Sequence, residues 1–136
     1  MADIRKVTDD FAVAPQISLA DVALAAERGF TLVINNRPDG EAPDQPTSAQ
    51  VEAAARAAGL GYIYIPVRGG PTAEQVEAVR AAMAEARGPT LAFCRSGTRS
   101  IVTWSIGQAR AAERPRDELL KLGAQAGYDL SAVLGG

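Results

Sequence analysis

The chain has no histidine among its 136 residues and only one cysteine. Without imidazole, Ser-His-Asp and Cys-His catalysis are excluded, as are histidine-containing zinc and iron sites. A single cysteine excludes a thiolate-rich metal centre and an internal disulfide, and a reduced, cytoplasmic setting is the simplest expectation. No apolar run approaches the roughly 18 residues of a membrane span. The opening MADIRKVTDD lacks the hydrophobic region of a secretory signal. Net charge is −2 with scattered arginines, so neither nucleic acid nor a membrane surface is an expected partner. Nothing in the composition calls for a cofactor. Any cysteine chemistry must generate its thiolate without a neighbouring imidazole.

What is present is ordinary globular material, 47% apolar and 22% charged. The length fits one domain over residues 1–136, enough to bury about 68–70% of its unfolded surface.

FAVAPQ (11–16) reads as a first strand ending at Pro15. Ser18 caps a helix over about 19–28, with Leu19, Val22, Ala23 and Ala26 inward and Gly29 as its stop. TLVINN (31–36) has the two-faced apolar pattern of a buried parallel strand. The loop NRPDGEAPDQP (36–46) leads to a Thr/Ser-capped, alanine-rich helix ending at Gly59, and then to the strand YIYIPV (62–67). Thr72 and Gln75 form a capping box for a helix over about 73–86. TLAF (90–93) is a short strand, followed by a helix over about 100–112 with Ile101, Trp104, Ile106 and Ala109 inward. One or two terminal helices follow, with Pro115 near a first turn and Gly127 as a break. Asp117 and Glu118 fit that first turn as complements of the helix dipole. Repeated strand–helix alternation predicts an α/β, three-layer sandwich with a mostly parallel central sheet flanked by helices.

Within PTLAFCRSGTRSIVTW, Cys94 falls where a strand gives way to a loop and a helix N-terminus. Ligands of open α/β sheets bind beyond the carboxyl ends of strands, and a helix N-terminus offers amides and positive dipole to an anion. Such a setting can lower a cysteine pKa without histidine. A lone cysteine after an apolar strand is most often an inert core residue. Two arginines, a glycine and two serines around it make a poor core segment, however. Cys94 is therefore the candidate nucleophile and Arg99 the fork that holds two anion oxygens. Arg95, Ser96, Gly97, Thr98 and Ser100 complete the candidate anion-binding loop. Gly97 permits the turn, and Ser100 can bond a thiolate or a capping amide. Arg37 and Asp39, on the same rim, are second-loop candidates, although Asn-Arg-Pro-Asp-Gly is also plain turn chemistry.

CRSGTRS resembles the active-site loop of rhodanese-type sulfurtransferases, with four residues between cysteine and arginine. It also resembles the phosphate loop of cysteine-dependent phosphatases, shortened by one residue. FAVAPQIS, LVINNRPDGEAPDQP, YIYIPV and LAFCRSGTRS together resemble the phosphatase-like domain of the beta-lactamase hydrolase-like proteins, over roughly residues 10–130. The resemblance implies a cysteine-phosphatase-like fold, of the dual-specificity type, with a rhodanese-like loop; a rhodanese-like fold is the alternative.

Both chemistries use Cys94 with Arg99 and the loop amides. Similar phosphatases carry an aspartate just after the strand matching YIYIPV, where this chain has Arg68-Gly69-Gly70, and a histidine where it has Phe93. With the shorter loop, these departures favour a sulfurtransferase that carries a persulfide on Cys94, fed by thiosulfate or another persulfide. A phosphatase acting on phosphoesters is the alternative, with Asp39 or Asp44 as general acid. A third reading is a non-catalytic persulfide-carrier or anion-sensing module docking to a partner such as a persulfide dioxygenase.

Overall fold

The computed structural model describes residues 2–135. Its elements are β1 (Arg5–Thr8), β2 (Phe11–Ala14), α1 (Leu19–Glu27), β3 (Leu32–Asn35), α2 (Ser48–Ala57), β4 (Gly61–Tyr64), α3 (Ala73–Glu85), β5 (Thr90–Phe93), α4 (Thr98–Arg110), α5 (Arg116–Gln125) and α6 (Ser131–Leu134). The sheet order is β1-β2-β5-β3-β4. Among the described residues only the β1–β2 pair is antiparallel; β2, β5, β3 and β4 run parallel.

Helix starts follow local chemistry. Ser18, Thr47 and Thr72 each close a reciprocal capping box, with Asp21, Gln50 and Gln75 respectively. Gly29 and Gly127 take positive φ just past α1 and α5, as helix stops do.

The sheet separates two apolar layers. Phe11, Val13, Ile34 and Ala92 face one core, shared with Val79, Ile101, Trp104, Leu119 and Leu130. Ala12, Ala14, Val33, Leu91 and Phe93 face the other, shared with Val22, Val51 and Ala55. The period-two alternation along each strand therefore serves two covered faces, α1 and α2 on one and α3 to α6 on the other. Trp104 belongs to this core, stacked on Phe11 with centroids 4.9 Å apart.

Some expected details are corrected. A strand, β1, precedes the expected first one; its short polar sequence RKVT pairs as an edge and carries little apolar signal. The strand near 62–67 is shifted to 61–64, because the chain leaves the ladder before Pro66. Helix α4 starts at Thr98, with Gly97 as N-cap. Its inward face keeps Ile101 and Trp104 but takes Thr103, Ser105, Gly107 and Gln108, leaving Ile106 half-buried and Ala109 exposed. On α1 the buried residues are Val22 and Ala25, while Leu19 and Ala23 lie outside. Small and polar residues enter these faces because neighbouring elements approach closely. At Gly107, a Cβ would lie 2.9 Å from Cγ of Arg80 on α3.

Ala14, Phe93, Asn35 and Tyr64 are in register at the carboxyl ends of the four parallel strands. The segments after them, including Gln16, Arg37, Val67 and Cys94, consequently share one rim.

Candidate active site

Cys94 directly follows β5 and is fully buried. Its backbone N–H donates to Ala14 O at 3.4 Å, and Arg95 O accepts from Gln16 N at 3.2 Å, so β2 and its extension hold the start of the loop. Gly97, at φ +90°, turns its N–H onto Cys94 Sγ at 3.1 Å. That conformation is why glycine stands here. Ser96 Oγ donates to Thr98 Oγ1 and accepts from Thr98 N, a local turn that opens α4. Ser100 Oγ is buried, with no hydrogen-bond partner among the described residues. Arg95 is exposed and makes no ion pair among the described residues.

Arg99 leaves the first turn of α4 and spans to two other segments. Its Nη1 donates to Glu41 Oε2 and to Val67 O, each at 2.8 Å, and its Nη2 donates to Glu41 Oε1 at 2.8 Å. Glu41 Oε1 also accepts from Arg37 Nε at 3.0 Å, while Arg37 Nη1 donates to Gln16 Oε1 at 3.1 Å. One carboxylate thus sits between two guanidinium groups. Hydrogen bonds from Arg99 outweigh the cost of burial and, with those from Arg37, hold the Glu41 carboxyl down at about 2. Hydrogen bonding to Glu41 raises the Arg99 guanidinium further above its ordinary value, and a thiolate at Cys94 would act in the same direction.

The 36–47 loop is braced by two buried asparagines. Asn35 Oδ1 accepts from Arg37 N at 2.9 Å, and Asn36 Nδ2 donates to Ile65 O at 2.9 Å. Asn35 Nδ2 donates to Tyr62 Oη, which also bonds Ser48 Oγ. These contacts present Arg37 and Glu41 to Arg99.

The structure therefore brings Cys94, Gly97 and Arg99 together, and joins Arg37 to them through Glu41. Asp39 is engaged elsewhere. Its Oδ1 accepts from Ser48 N at the start of α2, and its own N–H donates to Tyr64 Oη. Asp44 is exposed. Glu41, Asn35 and Asn36 escaped the sequence reading. Glu41 lies inside the segment INNRPDGE, four residues after its partner Arg37, and that spacing was the local signal available. Its other partner, Arg99, is 58 residues away, and no local periodicity reports that pairing. A cavity of about 710 Å³ lies at the opposite rim, beside Leu32 and Gly61 at the strand starts, away from Cys94.

A cysteine at the carboxyl end of a central parallel strand, with its sulfur on the N-terminal turn of a helix and an arginine one turn in, defines a cysteine-phosphatase-like domain. The family model for the phosphatase-like domain of beta-lactamase hydrolase-like protein matches residues 3–111, and the chain belongs to that family. It is 38% identical over 129 residues to the beta-lactamase hydrolase-like protein of Agrobacterium fabrum (strain C58 / ATCC 33970). That match covers 94% of this chain and 30% of the relative, so the chain spans under a third of that protein's length. Among solved structures it is similar to a candidate phosphatase of Neisseria meningitidis Z2491, with TM-score 0.83 and 34% identity, covering 96% of this chain and 93% of that one. A kinase associated phosphatase with its catalytic-site cysteine changed to serine shares the fold at TM-score 0.68 and 11% identity, covering 99% and 92%. No helix among the described residues is long and apolar enough to cross a membrane.

Proposed function

We propose that this domain hydrolyses phosphoesters through a phosphocysteine intermediate on Cys94. The observation that carries the reading is the aim of the Gly97 N–H at Cys94 Sγ, at the N-terminus of α4. There the loop amides and helix dipole favour a thiolate, and then the charge that builds on a transferring phosphoryl group. The similar proteins support phosphate over the sulfur transfer expected from the loop length, since the structures just described are named as phosphatases. A sulfur donor and a dioxygenase partner find no support among them.

In the reaction, the Cys94 thiolate attacks phosphorus and the ester oxygen leaves with the bonding pair. Water then attacks the phosphocysteine, returning the thiolate and releasing inorganic phosphate. Arg99 and the loop amides hold the non-bridging oxygens. Protonation of the leaving oxygen is the weaker half of the design. Glu41 stays ionised down to about pH 2, and Asp39 is bonded to the start of α2. The substrate class this favours is aryl phosphates, whose phenolate leaves with little help from an acid.

The test is turnover of p-nitrophenyl phosphate by purified protein, with acid quenching to trap a phosphoryl adduct on Cys94. Loss of turnover and adduct in Cys94→Ser is the expected result. Thiocyanate release from thiosulfate and cyanide, with no phosphate release from any ester, would overturn it. That outcome would favour the second reading, a persulfide on Cys94, which rests on the four residues between Cys94 and Arg99. Anion binding without turnover of either kind would favour a non-catalytic carrier.

A further inference from the structure

The Ser96–Gly97 peptide is held from both sides. Its N–H donates to Cys94 Sγ, and its carbonyl accepts a hydrogen bond from Tyr128 Oη at 2.9 Å. Because the peptide is planar and trans, its C=O and N–H point in opposite directions. The Tyr128 hydroxyl, the Ser96–Gly97 peptide and the sulfur consequently form one line of donors and acceptors. Hydrogen bonds in such a chain polarise one another, so a donor on the carbonyl strengthens the N–H at the far end.

Tyr128 is itself tightly placed. It follows α5, and its N–H donates to Gly123 O at 2.8 Å. The Arg5 guanidinium lies over its ring, 5.2 Å from the centroid, and Arg5 Nη1 donates to Ala126 O at 3.2 Å. Gly127, at φ +94°, leaves room for that guanidinium, because a Cβ there would lie 2.8 Å from Arg5 Nη1. On the other side, a Cβ at Gly97 would overlap Tyr128 Oη and lie 3.1 Å from Cζ. Burial keeps the Tyr128 phenol above its ordinary value, so its proton remains available for donation at neutral pH.

We propose that Tyr128 is a positioning residue for the Cys94 nucleophile, acting through the Ser96–Gly97 peptide that it orients and polarises. Tyr128 lies beyond residues 3–111, the segment matched by the family model. The proposal rests on Cys94 being the reactive group, and it holds for phosphate or sulfur as the transferred group.

Tyr128→Phe keeps the ring beneath Arg5 and removes only the hydroxyl. The measurement is the pH dependence of thiolate ultraviolet absorbance, taken as the difference from the matching Cys94→Ser protein so that tyrosine ionisation cancels. The chain has a single cysteine, so the signal belongs to one sulfur. Thiolate should appear at a pH higher by about half a unit in Tyr128→Phe, roughly a threefold loss at fixed pH. Arg5→Met, which frees the ring from above, should shift it in the same direction by less. Thermal melting of each variant records any loss of stability separately. Titrations superimposable on wild type in both variants, whatever their melting temperatures, would overturn the proposal. The measurement uses no substrate, so failure to hydrolyse phosphoesters would defeat the proposed function and leave this one standing.

Discussion

Arg99 and Glu41 face each other as a two-pronged ion pair, with both outer nitrogens of the arginine 2.8 Å from a carboxylate oxygen. The residue expected to hold a substrate anion is therefore already holding one, an internal carboxylate shared with Arg37. This relationship determines how the site should respond to acid, to mutation and to added phosphate.

The first consequence is for stability against pH. Glu41 has its folded value lowered to about 2 from an ordinary 4.5. A carboxyl depressed on folding stabilises the native state fully above its unfolded value, and that contribution is lost as pH falls towards the folded one. Urea midpoints should therefore fall between about pH 5 and pH 2, and Glu41→Gln should remove much of that slope. A slope unchanged in Glu41→Gln would show that other carboxylates control acid sensitivity.

The second concerns competition. Inorganic phosphate must share or displace the Glu41 carboxylate to reach the Arg99 fork. Glu41→Gln should bind phosphate roughly fivefold more tightly, the equivalent of losing about 1 kcal/mol of opposing ion pair. Calorimetric titration with phosphate checks this, and weaker binding would mean that Glu41 chiefly orients Arg99.

Arg99→Ala removes the fork itself. Loss of one preorganised donor to transition-state charge typically costs about 10²–10³-fold in rate. The expected result is a drop of that size in kcat for p-nitrophenyl phosphate, with native far-ultraviolet circular dichroism retained.

Gly97→Ala should be costly for two reasons, the positive φ and the overlap with Tyr128 Oη. Together these predict a loss of roughly 2–4 kcal/mol in chemical denaturation. Adding Tyr128→Phe takes away the overlapping oxygen but leaves Cζ 3.1 Å distant, so the double variant should recover part of the loss. Strict additivity in the double-mutant cycle would argue against the contact.

Trp104→Ala empties a buried, stacked position opposite Phe11. The expected destabilisation is about 3–5 kcal/mol, read by circular dichroism since the only tryptophan is gone.

The sequence by itself determined much of the frame. Capping residues Ser18, Thr47 and Thr72, β-branched LVIN and apolar TLAF are local signals, and each corresponds to an element at nearly its expected place. The strand–loop–helix passage that holds Cys94, Gly97 and Arg99 was also legible, because its signals lie within a few consecutive residues. Strand β1 was not, since a short polar edge strand is stabilised by its partner and not by its own pattern. Only the tertiary structure decided what the arginines do. Glu41 meets Arg99 across 58 residues, and Tyr128 meets Ser96 across 32. Both pairs arise because parallel strands end on one rim and the segment after α5 packs against the loop from behind. Such contacts depend on where the elements dock, and no spacing within the sequence encodes that directly.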